Sequence, residues 1–164
     1  MQRFIILLST IIYVQFANAD IISGLVVGVT DGDTINVLDR TNTQHKVRLA
    51  GIDAPEKKQA FGNVSKKSLS DLLYNKQVDI NWHKHDRYGR IVGKVIVGNL
   101  DANLLQISLG MAWYYKKYKS ELVFEDRLDY LHAQEKAKAE KLGLWSENQP
   151  IPPWDFRKVV NLTK

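Results

Sequence analysis

Residues 47–56, VRLAGIDAPE, place an arginine and two carboxylates around the end of a strand-like run. Pro55 cannot donate to a central sheet ladder and so ends the strand, which leaves Asp53 and Glu56 at its terminus. Carboxylates can coordinate a cation or accept a proton, and the guanidinium of Arg48 can bind an oxyanion. One such residue alone is best explained as solvated charge, whereas the three together indicate a functional site.

Strand alternation sets a condition on that site. Successive side chains of a strand point to opposite faces, so Arg48 and Asp53 can share a site only if the chain bends or bulges between them. Gly51 lies between the two residues and permits such a bend.

A further carboxylate, Asp33, follows the Asp31-Gly32 pair in VVGVTDGDTINVL. An Asp-Gly pair between two strand-like runs predicts a hairpin turn, and the turn accounts for Asp31. We expect Asp33 at the start of the next strand, where aspartate is unfavourable unless it has a function. An EF-hand is excluded because the glycine and the terminal glutamate of that loop are missing at their spacings.

A second arginine, Arg90, follows a turn-like stretch at residues 86–89 in HDRYGRIVGKVIV. The alternative for Arg90 is a surface arginine that flanks a hairpin. His83 and His85 are two residues apart and would share one face of a strand, as a transition-metal pair would. No third nitrogen or sulfur ligand is in view, so we interpret the histidines as part of an exposed polar face.

Short β-rich runs and helical segments then define the elements that must position these residues. Strands are predicted over residues 22–38, with the hairpin inside, and over 45–52, 77–82 and 90–97. Helices are predicted over 63–74, over 101–109 with Asp101 as N-cap, and over a longest segment from Ser120 to Lys141. The apolar stripe of that segment is Leu122, Leu128 and Leu131, and the tail NQPIPPWDFRK is expected to lie on the surface without forming another element. This order predicts a mainly β fold, a five-stranded oligonucleotide-binding (OB) barrel with about three α-helices.

Composition limits the class of protein. The chain has 164 residues, a formal net charge of +5 and no cysteine, which excludes thiolate metal sites and cysteine nucleophiles. Residues 1–19 carry a positive charge, an apolar run and an Ala17-Asn18-Ala19 ending, and so predict a signal peptide rather than a membrane anchor. We expect one domain over residues 20–164, secreted or periplasmic, monomeric and without membrane attachment after cleavage.

Four motifs follow one another along the chain: DGDT, RLAGIDAPE, DRYGR, and GLW after the longest predicted helix. This ordered set resembles the thermonuclease family, the staphylococcal nuclease-like proteins, over nearly the whole chain beyond residue 19. The resemblance implies an OB-type barrel that carries a calcium-dependent phosphodiesterase. Such an enzyme cuts DNA and RNA and leaves 3′-phosphates.

The resemblance also implies roles for individual residues. Two carboxylates and one backbone carbonyl would bind calcium, two arginines would bind phosphate, and one glutamate would be the general base. The matching positions are Asp33, Asp53 and Ala54 for calcium, Arg48 and Arg90 for phosphate, and Glu56 for the base. The residue types agree with these roles, because oxygen donors suit calcium and the arginine fork can hold two phosphate oxygens.

Aromatic and basic residues alternate over residues 113–119, WYYKKYK. Tyr118, Tyr115 and Lys116 are candidates to stack on bases and hold phosphates, with Tyr118 the first choice. The alternative is ordinary packing of these rings after the second helix.

Two other functions are compatible with the same barrel. A catalytically weak OB-fold nucleic-acid-binding protein is expected to lack one or more of the five charged positions, and all five are present. A secreted carbohydrate or peptide binder has no need for two arginines beside a carboxylate metal site. The sequence therefore favours a nuclease with DNA and RNA as substrates.

Overall fold

The computed structural model describes residues 20–162. The predicted signal peptide at residues 1–19 lies outside the described residues. Within the described part, no helix is both long enough and apolar enough to cross a membrane.

Five strands close into a barrel, as predicted. The strands of the structure are β1 (Asp20–Asp31), β2 (Thr34–Asp39), β3 (Gln44–Leu49), β4 (Ile52–Asp53), β5 (Gln77–His85), β6 (Ile91–Val97), β7 (Leu100–Asp101) and β8 (Trp113–Tyr114). β1 pairs antiparallel with β2 and β5, β2 with β3, and β5 with β6. A parallel pairing of β3 with β6 closes the ring and leaves no open edge between these strands. The short strands β4 and β8 pair with each other beside the barrel.

The barrel interior is filled by alternate residues of its strands. Fully buried aliphatic side chains include Val26, Ile35, Val47, Ile80 and Val95. Each comes from a different strand, so the period-2 pattern of every strand contributes to one core. Burial of such side chains supplies roughly 1.5–3 kcal/mol each, which is the main reason that a chain without disulfides can hold the barrel.

Within residues 20–162, four α-helices accompany the barrel. They are α1 (Gly62–Leu73), α2 (Ala102–Ser108), α3 (Phe124–Ala139) and α4 (Pro153–Leu162). Two short 3-10 helices cover Lys116–Glu121 and Gly143–Ser146. The side chain of Asp101 accepts a hydrogen bond from the Leu104 amide at 3.0 Å, which confirms Asp101 as the N-cap of α2.

The predicted start of the longest helix was wrong. Ser120 belongs to the 3-10 helix, and α3 begins only at Phe124. Leu122 is buried in extended backbone between the two, so it does not belong to a helical stripe. Leu128 is exposed, and the buried residues of α3 are Tyr130, Gln134 and Ala137. The polar Gln134 is buried there because its side chain accepts a hydrogen bond from the Tyr114 amide.

The tail was also predicted wrongly, because residues 153–162 form α4. Pro153 is the first residue of this helix, a position where proline costs nothing because that N–H has no helical partner. Trp154 then packs face to face on Tyr115, with ring centroids 4.6 Å apart and planes 9° apart. Proline therefore starts an element here rather than preventing one.

The β1–β2 hairpin is shifted by one residue from the prediction. Asp31 is the last residue of β1 and pairs with Thr34, so Gly32 and Asp33 form the two-residue loop. Asp33 is thus in the turn and not at the start of β2. Its amide donates to Asp31 Oδ1 at 3.1 Å, so Asp31 does act in turn formation, as predicted.

The expected bend after β3 is present at Gly51. This residue has φ of +71°, and a Cβ placed on it would lie 2.5 Å from Leu122 Cδ1. Only glycine suits both the left-handed backbone and the close contact. The bend separates β3 from β4 and turns Asp53 toward the same cleft as Arg48.

Candidate active site

One cleft of about 810 Å³ brings most of the predicted site residues together. The predicted residues that line it are Asp33, Arg48, Asp53, Ala54, Glu56, Arg90 and Tyr118. They come from the β1–β2 turn, from β3 and β4, from the turn before β6 and from the 3-10 helix at 116–121. The barrel thus collects side chains that are up to 85 residues apart at one of its rims, between positions 33 and 118.

Tyr115 and Lys116 do not line this cleft. One face of Tyr115 is covered by Trp154, and its ring also meets the Tyr118 ring at a centroid distance of 4.5 Å and 76°. Lys116 is exposed. Tyr118 alone of the three predicted substrate contacts is at the cleft, where the guanidinium carbon of Arg48 lies 5.0 Å from the centroid of its ring.

Asp33 is held by hydrogen bonds to both of its carboxylate oxygens. Thr34 Oγ1 donates to Oδ1 at 2.8 Å, and the Ala54 amide donates to Oδ2 at 3.0 Å. Burial and, next, the nearby Asp31 carboxylate raise the pKa of Asp33 to about 7. Among the described residues, Asp33 has no salt-bridge partner. Asp33 is therefore a carboxylate that hydrogen bonds hold in place and that no salt bridge of the described residues neutralises.

Arg48 is buried and is held by a glutamate that sequence reasoning missed. Arg48 Nη2 donates to Glu121 Oε1 at 2.5 Å, and the Gly51 amide donates to Glu121 Oε2 at 3.1 Å. Lys84 Nζ lies 3.1 Å from Glu121 Oε1. Burial favours the neutral acid, but these donors hold the pKa of Glu121 below its usual value. Glu121 thus fixes the orientation of Arg48 toward the cleft.

Arg90 has its own carboxylate. Arg90 Nε donates to Asp86 Oδ2 at 2.7 Å, and Arg90 Nη1 donates to Thr34 Oγ1 at 3.4 Å. The bonds from Arg90, against the effect of burial, keep the pKa of Asp86 below its usual value. Thr34 links Asp33 to Arg90, because its hydroxyl donates to the first and accepts from the second.

Asp53 and Glu56 share a third arginine, Arg157 of α4. Arg157 Nη1 and Nη2 donate to Asp53 Oδ1 and Oδ2 at 3.0 and 2.7 Å, and Nη1 also donates to Glu56 Oε1 at 2.7 Å. Burial raises the pKa of Asp53 to about 6 even though Arg157 acts in the opposite direction. The guanidinium therefore joins the predicted metal carboxylate to the predicted base.

Two residues of the site, Glu121 and Arg157, were not found from the sequence. Glu121 lies 73 residues from its arginine, in a segment that the helical pattern assigned to the long helix. Arg157 lies 104 residues from Asp53, in the proline-broken tail. The sequence offers one signal for Arg157, which is an arginine shortly after a proline and a tryptophan in PWDFRK. This signal is not specific.

Ala54 lies where the prediction put it, but the contact seen is from its amide. The Ala54 N–H donates to Asp33, so this residue couples the β1–β2 turn to the segment after β4. The carbonyl role of Ala54 stays a prediction. Among the residues described, no group of three or more His, Cys, Asp or Glu side chains is placed to hold a metal ion by itself. The interpretation of His83 and His85 as an exposed polar face stays a prediction.

Comparison with known proteins decides the family. A family model described as staphylococcal nuclease homologue matches residues 46–147. The chain belongs to the staphylococcal nuclease family. An uncharacterized endonuclease of Haemophilus influenzae is 47% identical over 139 residues, which cover 84% of this chain and 75% of that protein. An uncharacterized endonuclease of Escherichia coli is 41% identical over 137 residues, 83% of this chain and 85% of its own length.

A relative with a more specific name is similar as well. The micrococcal nuclease of Shigella flexneri is 38% identical over 145 residues, 83% of this chain and 80% of that protein. Family membership confirms the resemblance inferred from the four motifs, and the closed five-stranded barrel with helices agrees with it. The chain is thereby a nuclease-type hydrolase of the staphylococcal nuclease family.

The uncompensated charge of Asp33 leads to a stability prediction. In the folded chain Asp33 binds a proton up to about pH 7, whereas an unfolded aspartate loses it near pH 4. The folded state binds more protons between these values, so its stability falls as pH rises through them. In buffer with a chelator, Asp33→Asn should raise Tm at pH 8 by roughly 3–10 °C, and the gain should shrink toward pH 4.

The control for this melting experiment is Asp71→Asn. Asp71 is exposed and makes an ion pair only with Lys67, one helical turn away, so its removal should change Tm little at either pH. Asn keeps only one of the two acceptor oxygens of Asp33, but the loss of that hydrogen bond does not depend on pH. A Tm difference between Asp33→Asn and the wild type that stays the same from pH 4 to pH 8 would therefore contradict the raised pKa.

Proposed function

We propose that the chain is a secreted, calcium-dependent endonuclease that hydrolyses phosphodiester bonds of DNA and RNA and leaves 3′-phosphates. The observation that carries this proposal is that the two guanidiniums and three carboxylates predicted from the sequence line one cleft. The five residues are Arg48, Arg90, Asp33, Asp53 and Glu56. The names of the relatives support nucleic acid as substrate, and the family resemblance supports the position of the cleaved bond.

The carboxylates fit a hard divalent cation. Asp33 and Asp53 are partly or fully buried oxygen donors at one cleft, and burial has raised the pKa of both, to about 7 and about 6. A nearby cation would remove the cost of keeping these groups ionised. We assign Asp33, Asp53 and the Ala54 carbonyl to calcium, since few protein ligands leave positions for water and a phosphate oxygen. When bound, calcium supplies positive charge that polarises the phosphate.

The arginines of this chain are placed to stabilise charge on a phosphate. Arg48 and Arg90 line the cleft, and each is fixed by one carboxylate, Glu121 or Asp86. Each guanidinium has five N–H donors, so one or two bonds to a carboxylate leave others for phosphate oxygens. Donors that are oriented before the reaction lose little in reorganisation when charge grows on the phosphate.

Glu56 is the proposed general base. Its side chain is 41% exposed, and only Oε1 is engaged, by Arg157. Oε2 has no hydrogen-bond partner among the described residues, and is therefore the atom that would accept a proton from the attacking water. Tyr118, next to Arg48 at the cleft, is the proposed base-stacking contact. Tyr115 and Lys116 would contact substrate only outside the cleft.

Recognition through phosphates determines the expected specificity. Phosphate contacts carry no information on base sequence, so cleavage should be broadly non-specific and should weaken with added salt.

We also propose that the exported chain acts as a monomer without membrane attachment. The alternative is a catalytically weak OB-fold nucleic-acid binder, which would use the same arginines for attraction alone.

The direct test of the proposed function is metal-dependent cleavage of plasmid DNA and of a single-stranded RNA. Calcium should support cleavage, a chelator should abolish it, and calcium in excess should restore it. Magnesium should be a poor substitute because it keeps its waters and requires near-octahedral geometry. Equal rates with both metals, or cleavage that survives the chelator, would contradict the assigned site.

Conservative arginine variants separate catalysis from simple attraction. Arg48→Lys and Arg90→Lys keep the charge but lose the fork, so each should lower single-turnover cleavage roughly 10²- to 10³-fold with little change in oligonucleotide binding. Glu56→Gln should likewise reduce turnover more than binding. Arg40→Lys, at an exposed arginine outside the cleft, is the matched control and should leave both unchanged. Rates within a few-fold of wild type for both cleft variants would favour the binder.

The proposed export has a separate test. If residues 1–19 are a signal peptide ending in Ala17-Asn18-Ala19, the exported protein should begin at Asp20. N-terminal sequencing of protein recovered from the periplasm or medium measures this directly. An exported protein that retains Met1, or a chain found only in the cytoplasm, would refute the proposed processing.

A further inference from the structure

The C-terminal helix α4 contributes a side chain to the cleft, although it lies beyond residues 46–147 that match the family model. Arg157 makes a two-pronged pair with Asp53 and a further bond to Glu56, all at 2.7–3.0 Å. These two carboxylates are the proposed metal ligand and the proposed base. One guanidinium thus connects two groups whose relative orientation decides where the attacking water stands.

Several contacts fix the first turn of α4 against the domain. Pro153 is buried, and Trp154 stacks on Tyr115 and meets Trp113 edge-on with ring centroids 5.5 Å apart. Gln59 forms a second link, because its amide nitrogen donates to the Ile151 carbonyl at 2.5 Å. The amide oxygen of the same side chain accepts from the Glu56 N–H at 3.1 Å. The aromatic contacts of Trp154 and the hydrogen bonds of Gln59 therefore fix where α4 begins, and so where Arg157 lies relative to the cleft.

The hydrogen bonds from Arg157 leave acceptor sites free on both carboxylates, Asp53 and Glu56. A carboxylate offers about four acceptor sites on two oxygens, and the pair with Arg157 uses two sites of Asp53. At Glu56 the bond involves only Oε1. Arg157 can therefore remain in place while Asp53 binds a cation and Glu56 accepts a proton through Oε2.

We propose that Arg157 is a positioning residue of the active site. It holds the carboxylates of Asp53 and Glu56 in one fixed relation, and α4 exists in part to place it there. This inference rests on the proposed function. Residues that hydrogen-bond metal-binding carboxylates orient them, and their loss typically lowers metal affinity or activity 10- to 100-fold. Without Arg157, the half-exposed Glu56 side chain would be free to turn away from the metal carboxylate.

A different role for the same contact makes opposite predictions. If Arg157 were a tethered competitor that calcium must displace, its removal would tighten calcium binding and would leave turnover at saturating calcium unchanged. The ring stacking of Trp154 and the burial of Pro153 hold the start of α4 against the domain, which favours an Arg157 that stays in place over one that calcium displaces. The sign of the change in calcium affinity decides between the two.

The experiment compares Arg157→Lys, Arg157→Gln and the control Lys158→Gln. Arg157→Lys keeps the charge and removes the fork, so long-range electrostatics stay the same. Lys158 is the next residue of α4, is exposed, and among the described residues forms a salt bridge only with Asp155. Lys158→Gln therefore removes one charge of the same helix at a residue that does not line the cleft. Calcium binding by titration calorimetry, single-turnover cleavage at saturating calcium, and oligonucleotide binding by fluorescence anisotropy are measured for each. Thermal melting checks that every variant is folded.

Both Arg157 variants should bind calcium more weakly than the wild type and should lose roughly 10- to 100-fold in turnover at saturating calcium. Oligonucleotide binding by Arg157→Lys should stay within about twofold of wild type, because the charge that attracts phosphates is kept. Lys158→Gln should match the wild type in calcium affinity and in turnover.

Turnover of both variants equal to Lys158→Gln, or calcium binding by Arg157→Gln tighter than by Lys158→Gln, would overturn the positioning role. A wild type that cleaves in calcium while the variants are unaffected means that this inference alone has failed. A wild type that binds calcium without cleaving means that the proposed function has failed, and the calcium affinities of the variants still test the role of Arg157. A wild type that binds no calcium would overturn both.

Discussion

A buried carboxylate, Glu121, joins the arginine of β3 to the bend that follows it. One of its oxygens accepts from Arg48 and the other accepts from the Gly51 amide. Since the Gly51 bend turns Asp53 into the cleft, the same glutamate determines both the direction of the arginine and the path of the chain to Asp53. Removal of one partner from such a buried ion pair typically costs about 3–5 kcal/mol. The rim of the barrel that carries the cleft therefore depends on a contact between β3 and the segment before α3.

Most of the arginines and carboxylates of the cleft form salt bridges, but the charges are not fully balanced. Three arginines each have a carboxylate partner, in the pairs Arg48–Glu121, Arg90–Asp86 and Arg157–Asp53. Asp33 and its neighbour Asp31 line the cleft without a salt bridge among the described residues, and burial with Asp31 nearby raises the pKa of Asp33 to about 7. A partly buried ionised group without a salt-bridge partner costs stability, even where hydrogen bonds hold it. The cation proposed to bind Asp33 would supply the missing positive charge, so the proposed metal site and this loss of stability would share one side chain.

The sequence was most informative where structure is local. Period-2 runs predicted the barrel strands, Asp101 predicted the start of α2, and Gly51 predicted the bend. Errors occurred where distant contacts overrule local preference. The helix expected from Ser120 starts at Phe124 because the intervening segment is extended around Leu122, and α4 forms because its first turn finds aromatic partners. Motif order located the charged residues of the site, but their partners Glu121 and Arg157 could not be predicted, since no spacing rule connects residues 73 or 104 positions apart.

Carboxylates that hold arginines neutralise the charge that attracts a polyanion, and so oppose the proposed phosphate binding. The geometry resolves this conflict. A guanidinium has five donors in a rigid fork, so Glu121 takes only the Nη2 side of Arg48, and Asp86 takes only the Nε side of Arg90. The remaining N–H groups keep a fixed direction, and the entropy of ordering a long side chain is spent during folding and not during catalysis. The paired arginines attract a polyanion less strongly at long range, but the net positive charge of the chain supplies that attraction. The arginines of the cleft then serve to orient a bound phosphate.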